Sequence, residues 1–201
     1  LLPRAEKGEH LLVVQHPSFY AKPNYEFTYD RNPRSTACIP YGLGKYYVCG
    51  GVNGGETTSG NATGNSVDFS NVTATYVQGG YSGSGSATGN SLAIRSGTVQ
   101  NNAFGGYVDS GSGEASDNSV TFNGGSVTNN IYGGMSAAGL AQSNSVIMTN
   151  GSANWLLGGY SDSGDVSGNS VNVSGGTLTG VSGGESNSGS ATGNIVSISG
   201  G

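Results

Sequence analysis

Short runs of alternating apolar and polar residues recur along most of the chain, each just after an asparagine. The runs are Val67-Asp-Phe69, Leu92-Ala-Ile94, Val120-Thr-Phe122, Val146-Ile-Met148, Val171-Asn-Val173 and Val196-Ser-Ile198. The asparagines are Asn65, Asn90, Asn118, Asn144, Asn169 and Asn194, spaced 25, 28, 26, 25 and 25 residues apart. Alternation at period two predicts short strands with one face turned inward. No stretch carries a helical stripe, and glycine at this density costs a helix roughly 1 kcal/mol per site. Other positions keep step with the asparagines. Five residues before each stands Gly60, Gly85, Gly113, Gly139, Gly164 or Gly189, and three before stands Ala62, Ala87, Ala115, Ala141, Val166 or Ala191. Gly-Gly pairs begin at Gly50, Gly79, Gly105, Gly133, Gly158 and Gly183, each with an apolar residue two positions earlier, from Val48 to Val181.

One such unit cannot bury its own inward face, but stacked units can. Equivalent positions then lie about 4.8 Å apart and each backbone bonds to the next coil. The expected fold is all-β: a single-chain β-solenoid of about six coils of about 25 residues over 48–201, its hand left open. The asparagine column reads as structural, either as turn residues in the left-handed region or as stacked amides bonding from coil to coil. The stretch from Gly-Gly to the next asparagine varies, with 11 residues in four repeats, 13 in one and 15 in another, so insertions are expected to gather on one edge.

Residues 1–47 are different in kind. They are basic, rich in Tyr and Pro, and free of the repeat, with strand-like Leu11–Val14 and Tyr25–Tyr29. Solenoid ends expose unpaired backbone, so this segment is expected to cap the first coil. Cys38 and Cys49 are expected to close a small disulfide loop at the junction, which implies an oxidising compartment. The chain opens Leu-Leu-Pro and stops in mid-repeat at Ile198-Ser-Gly-Gly201, as a processed piece of a longer chain or a polymerising subunit would.

Composition and charge narrow the function. The chain has 38 Gly, 9% charged residues and a formal charge of −5. Of its seven Lys and Arg residues only Arg95 lies beyond residue 50, against eight acids, so nothing there can track phosphates and nucleic acid is excluded as a partner. No apolar run is long enough for a transmembrane helix. No cofactor, metal or catalytic residue is expected. A polysaccharide-active β-helix would need carboxylates grouped with a base or cation, and remains only as a remote alternative.

The edge after Gly-Gly carries the candidate binding chemistry. Tyr81, Tyr107 and Tyr160 follow the glycines directly, and Asp162 and Asp165 lie in the last of these loops. Such a column suits stacking on sugar rings or on another protein's surface, and equally suits tyrosines bracing a solvated face. Gly-Gly-Tyr160-Ser-Asp162-Ser-Gly-Asp165 has some of the spacing of calcium-binding nonapeptides, but no second loop repeats it. The sequons at Asn61, Asn71, Asn150 and Asn172 follow from composition.

Gly89-Asn-Ser-Leu-Ala-Ile94, Gly168-Asn-Ser-Val-Asn-Val173, Gly176-Thr-Leu178 and Tyr132-Gly-Gly-Met135 resemble the repeats of bacterial autotransporter and haemagglutinin-like adhesin passenger regions. The likeness covers about 48–201 and none of the first 47 residues. It implies a secreted or cell-surface β-solenoid, adhesive or stalk-like, and no particular ligand. The expected function is therefore that of a non-catalytic extracellular structural or adhesive module of a bacterial surface protein, with host or bacterial surface glycans or proteins as partners. The alternative is a filament subunit joined to itself head to tail through its N-terminal strand and open last coil.

Overall fold

The computed structural model describes residues 35–38 and 46–200, which form a parallel β-solenoid of about six coils. Each coil contributes to three sheets. The first follows the asparagine, in strands such as Ser91–Ile94 and Ser119–Phe122. The second is a wide face, in pieces such as Ser126–Val127 and Asn130–Ser136, which merge into Ser152–Ser161 and Thr177–Ser186 in later coils. The third is a two-residue face, from Ala62–Thr63 to Ala191–Thr192. The six-strand sheets run strictly coil by coil.

The alternation read from the sequence produces the core. Val67, Leu92, Val120, Val146, Val171 and Val196 pair in one unbroken register column. Beside it run Phe69, Ile94, Phe122, Met148, Val173 and Ile198, with Val77, Ala103, Ile131, Leu156 and Val181 closing from the wide face. Leu92, Ile94, Phe122, Ile131, Met148 and Leu156 are fully buried. Each such side chain contributes about 1.5–3 kcal/mol of burial, which offsets the entropy of ordering a glycine-rich backbone. In the last described coil the same columns meet solvent: Val196 and Ile198 are 40% and 62% exposed.

Two features differ from expectation. In the first coil, Val52 and Gly55 pair with Val77 and Gly80. The first Gly-Gly landmark is therefore Gly54-Gly55, and Gly50-Gly51 is a look-alike four residues upstream. With that register the stretch from Gly54 to Asn65 is 11 residues, as in the other coils, and only the Gly105–Asn118 stretch is longer. Its two extra residues lie between Tyr107 and Ala115, where Val108 packs with Ala87 and Ala115 in a small cluster of its own. The second difference concerns the left-handed turn, which belongs to the residue before each ladder asparagine. Gly64, Gly89, Gly168 and Gly193 hold φ of 62–67° there, and Asp117 and Ser143 hold 57° and 54°. An L-residue in this region costs roughly 1–2 kcal/mol, which explains why glycine fills the other four positions.

At the N-terminal side Ser35–Cys38 pairs antiparallel with Tyr47–Gly50 at the edge of the wide sheet. The rest of the expected cap, including Leu11–Val14 and Tyr25–Tyr29, lies outside the described residues. So do the side chains of Cys38 and Cys49. Their backbones stand diagonal to one another, Cys38 opposite Tyr47 and Cys49 opposite Thr36.

Candidate functional site

The asparagine column is a continuous amide ladder. Asn118 illustrates the pattern: its Oδ1 accepts from the backbone N–H and the Nδ2 of Asn90, both at 2.9 Å. Its own Nδ2 donates to Asn144 Oδ1 and to the Ala87 carbonyl, also at 2.9 Å. The same links join Asn65 to Asn90, Asn144 to Asn169 and Asn169 to Asn194. Asn90, Asn118, Asn144 and Asn169 are at most 1% exposed, so these four are not offered to a ligand, and only the end members Asn65 and Asn194 are half-buried.

Two further structural columns lie beside it. The second glycine of each pair faces the ladder, and a Cβ on Gly106 would stand 2.5 Å from Asn118 Cγ. Glycine is thus required there because the amide occupies the space. A serine column staples the corner between the wide and short faces. Ser136, Ser161 and Ser186 accept from Gly139, Gly164 and Gly189 N–H at 2.8–2.9 Å and donate to the Gly113, Gly139 and Gly164 carbonyls of the preceding coil. Val108 replaces this serine in the one longer coil, and the staple gives way to apolar packing.

The wide face is where chemistry is left over. An aromatic ribbon crosses four coils: Tyr81 meets Tyr107 with ring centroids 5.6 Å apart, Tyr107 stacks on Phe104 at 4.7 Å, and Phe104 stacks on Tyr132 at 5.1 Å. Tyr132 then meets Tyr160 edge-on at 5.9 Å. The three tyrosines named from the sequence are therefore on one surface, joined by Phe104 and Tyr132, which the sequence reading missed. The signal for these two was available, since both stand immediately before a Gly-Gly pair. Trp155 lies beyond them, 39% exposed, over the bare backbone of Gly180.

Polar groups border the ribbon on both sides. Asp109, one of the acids of the loop edge, accepts from the hydroxyls of Tyr81 and Tyr107 at 3.1 and 2.7 Å. The two named acids do not converge. Asp162 accepts from Tyr160 Oη at 2.8 Å and from Asn187, while Asp165 accepts the Ser190 N–H in the next coil at 2.8 Å. Partial burial, then the Asp162 hydrogen bond and charge, push the Tyr160 phenol above its usual pKa, so it stays neutral well into the alkaline range. On the opposite border, Asn129 donates to Asn101 and Asn130 to Asn102, a second asparagine column at the ribbon's edge. Arg95 pairs with Asp68 at 2.8 Å on a different face, more than half exposed, and such a pair contributes little. Among the described residues no group of three or more His, Cys, Asp and Glu is placed to hold a metal ion.

The repeats themselves match no solved structure. The family model for glycosyltransferase family 6 matches residues 5–63, well under half of the chain. Histo-blood group ABO system transferase 1 of Rattus norvegicus is 48% identical over 46 residues, which is 23% of this chain and 13% of that protein. The likeness falls on the segment expected to be a cap, for which the sequence reading named no family, and it runs on through Tyr46–Thr57 and Ala62–Thr63 of the first coil. Its extent shows no family membership for the chain as a whole.

Proposed function

We propose that this chain is a non-catalytic extracellular module of a bacterial surface protein, in which the solenoid is the scaffold and the wide face is the adhesive surface. The observation that carries the reading is the aromatic ribbon from Tyr81 to Tyr160. The asparagine, glycine and serine columns repeat because stacking needs them, whereas the ribbon changes residue from coil to coil, and Tyr107, Tyr132 and Tyr160 in it are only half-buried. Aromatic side chains supply large contact area at low entropic cost, which suits reversible adhesion. The carboxylates beside the ribbon are engaged by phenols and amides, an arrangement that favours binding over hydrolysis. The surface location rests on the likeness of the repeats to adhesin passenger regions.

Beads coated with the intact chain are expected to stay on bacterial or epithelial cell layers through washing, well above albumin-coated beads. Folded protein that retains no beads on either layer would sink the adhesive reading. The alternative reading is end-to-end self-assembly through the N-terminal strand. Negative-stain electron microscopy over a range of concentrations separates the two, as filaments or as isolated short rods.

A further inference from the structure

Three Asn-Gly dipeptides stand in the chain: Asn53-Gly54, Asn123-Gly124 and Asn150-Gly151. In such a pair the asparagine is open to attack by its own backbone, because glycine has no Cβ to shield the nitrogen that follows the side-chain amide. The fold gives the three pairs different surroundings. Asn53 lies inside the strand Tyr46–Thr57, opposite Gln78, and its amide donates to Glu56. Asn123 is exposed, but its Oδ1 accepts from Thr149 Oγ1 at 3.1 Å, which holds the amide toward the next coil.

Asn150 sits exposed at the corner between the strands Ser145–Met148 and Ser152–Ser161. Its Oδ1 accepts the N–H of Gly151 at 2.8 Å, so amide and following nitrogen already touch. Among the described residues no main-chain carbonyl accepts that N–H. The backbone around it is pinned. Thr149 and Ser152 donate to the Phe122 and Gly125 carbonyls of the preceding coil, both at 3.0 Å, and Gly151 accepts from Thr177 of the next at 2.9 Å. The reacting groups are thus held together in water while their neighbours are fixed.

From this geometry we infer that Asn150-Gly151 is a deamidation site, at which the folded chain converts asparagine to isoaspartate and aspartate. A turn about Cβ–Cγ presents the face of the amide carbon to Gly151 N. The nitrogen gives its proton to solvent base and forms a bond to Cγ. The Cγ–Nδ2 bond breaks, and Nδ2 takes up a proton and leaves as ammonia. Water then opens the succinimide ring. Cleavage between the ring nitrogen and Cγ restores the main chain with an aspartate, and cleavage at the Asn150 backbone carbonyl leaves the chain running through Cβ as isoaspartate. One water is consumed for each ammonia released.

The isoaspartate adds a carbon to a corner that has no inward room, since a Cβ on Gly151 would stand 2.6 Å from Phe122 Cζ. The turn must bulge outward, which breaks the Ser152 bond to Gly125 and opens the corner to proteases. Asparagine is not needed for the turn itself, because Gly124 and Gly175 hold the matching place in the neighbouring coils.

The test ages the intact chain in mildly alkaline buffer at body temperature and follows each Asn-Gly pair by peptide mapping, with isoaspartyl methyltransferase as the probe for isoaspartate. Asn150 is expected to react at least tenfold faster than Asn53 and Asn123. In guanidinium chloride the three rates should come within about threefold of one another, through acceleration at Asn53 and Asn123. Asn150→Gly should abolish methylation with an unchanged melting curve. Fresh Asn150→Asp, which carries the charge without the longer chain, should resist cleavage at the corner where the aged parent is cut. A folded Asn150 no faster than Asn123, or a preference that survives unfolding, overturns the inference.

Discussion

Asn144→Leu is expected to destabilise the chain by about 3–5 kcal/mol, although leucine has the same branching at Cγ and the site is interior. Asn144 accepts the backbone N–H and the Nδ2 of Asn118, and donates to Asn169 Oδ1 and the Ala115 carbonyl. Leucine removes all four bonds at once. It leaves the Asn118 N–H buried without its acceptor, and one donor of the Asn118 amide and the Ala115 carbonyl each lose a partner. Unpaired buried groups cost about 1–3 kcal/mol each, with partial relief where a second bond remains. The same change at Asn65, the half-exposed end of the ladder, should cost about a third as much because water reaches the site. Equal denaturation midpoints for the two variants would mean that the ladder's burial has no energetic weight.

Gly134→Ala is expected to cost about 3 kcal/mol, at the upper end of the usual range for overpacking a core. A Cβ at this position would lie 2.5 Å from Asn144 Cγ and 2.6 Å from its Nδ2. The amide cannot withdraw, because its four hydrogen bonds fix it from both neighbouring coils. The two columns should therefore be coupled. In the double variant Gly134→Ala/Asn144→Ser the shorter side chain makes room, and the combined loss should fall short of the sum by about 1–2 kcal/mol. Additive losses would show that the glycine acts through backbone freedom instead.

The repeat was legible in the sequence because stacked coils force each position to solve the same packing problem, so identical residue types return every coil. The asparagine register, the inward alternation and the three-faced coil all follow from that constraint. The first coil was misaligned because Gly50-Gly51 and Gly54-Gly55 both carry a glycine pair with a valine two positions earlier, and only the pairing of Val52 with Val77 separates them. The left-handed turn stayed one of two readings of the asparagine because four of the six true turn residues are glycines that periodicity alone cannot distinguish from spacers. The candidate site was only half legible. Tyr81, Tyr107 and Tyr160 stood out by recurrence, while Phe104 and Tyr132 share the place before Gly-Gly with Gln78 and Leu157, so that column shows no single residue type. What joins them is contact between coils, which depends on side-chain size and direction as well as on register.

The account divides the molecule into columns that hold the coils together and a face that binds. The most direct test measures melting temperature and bead retention together on two variants, Asn144→Leu and Trp155→Ser/Tyr160→Ser. Division of labour predicts that the ladder variant melts far lower, while the wide-face variant melts within a few degrees of the parent chain and loses retention. A wide-face variant that retains beads as the parent does would contradict the account.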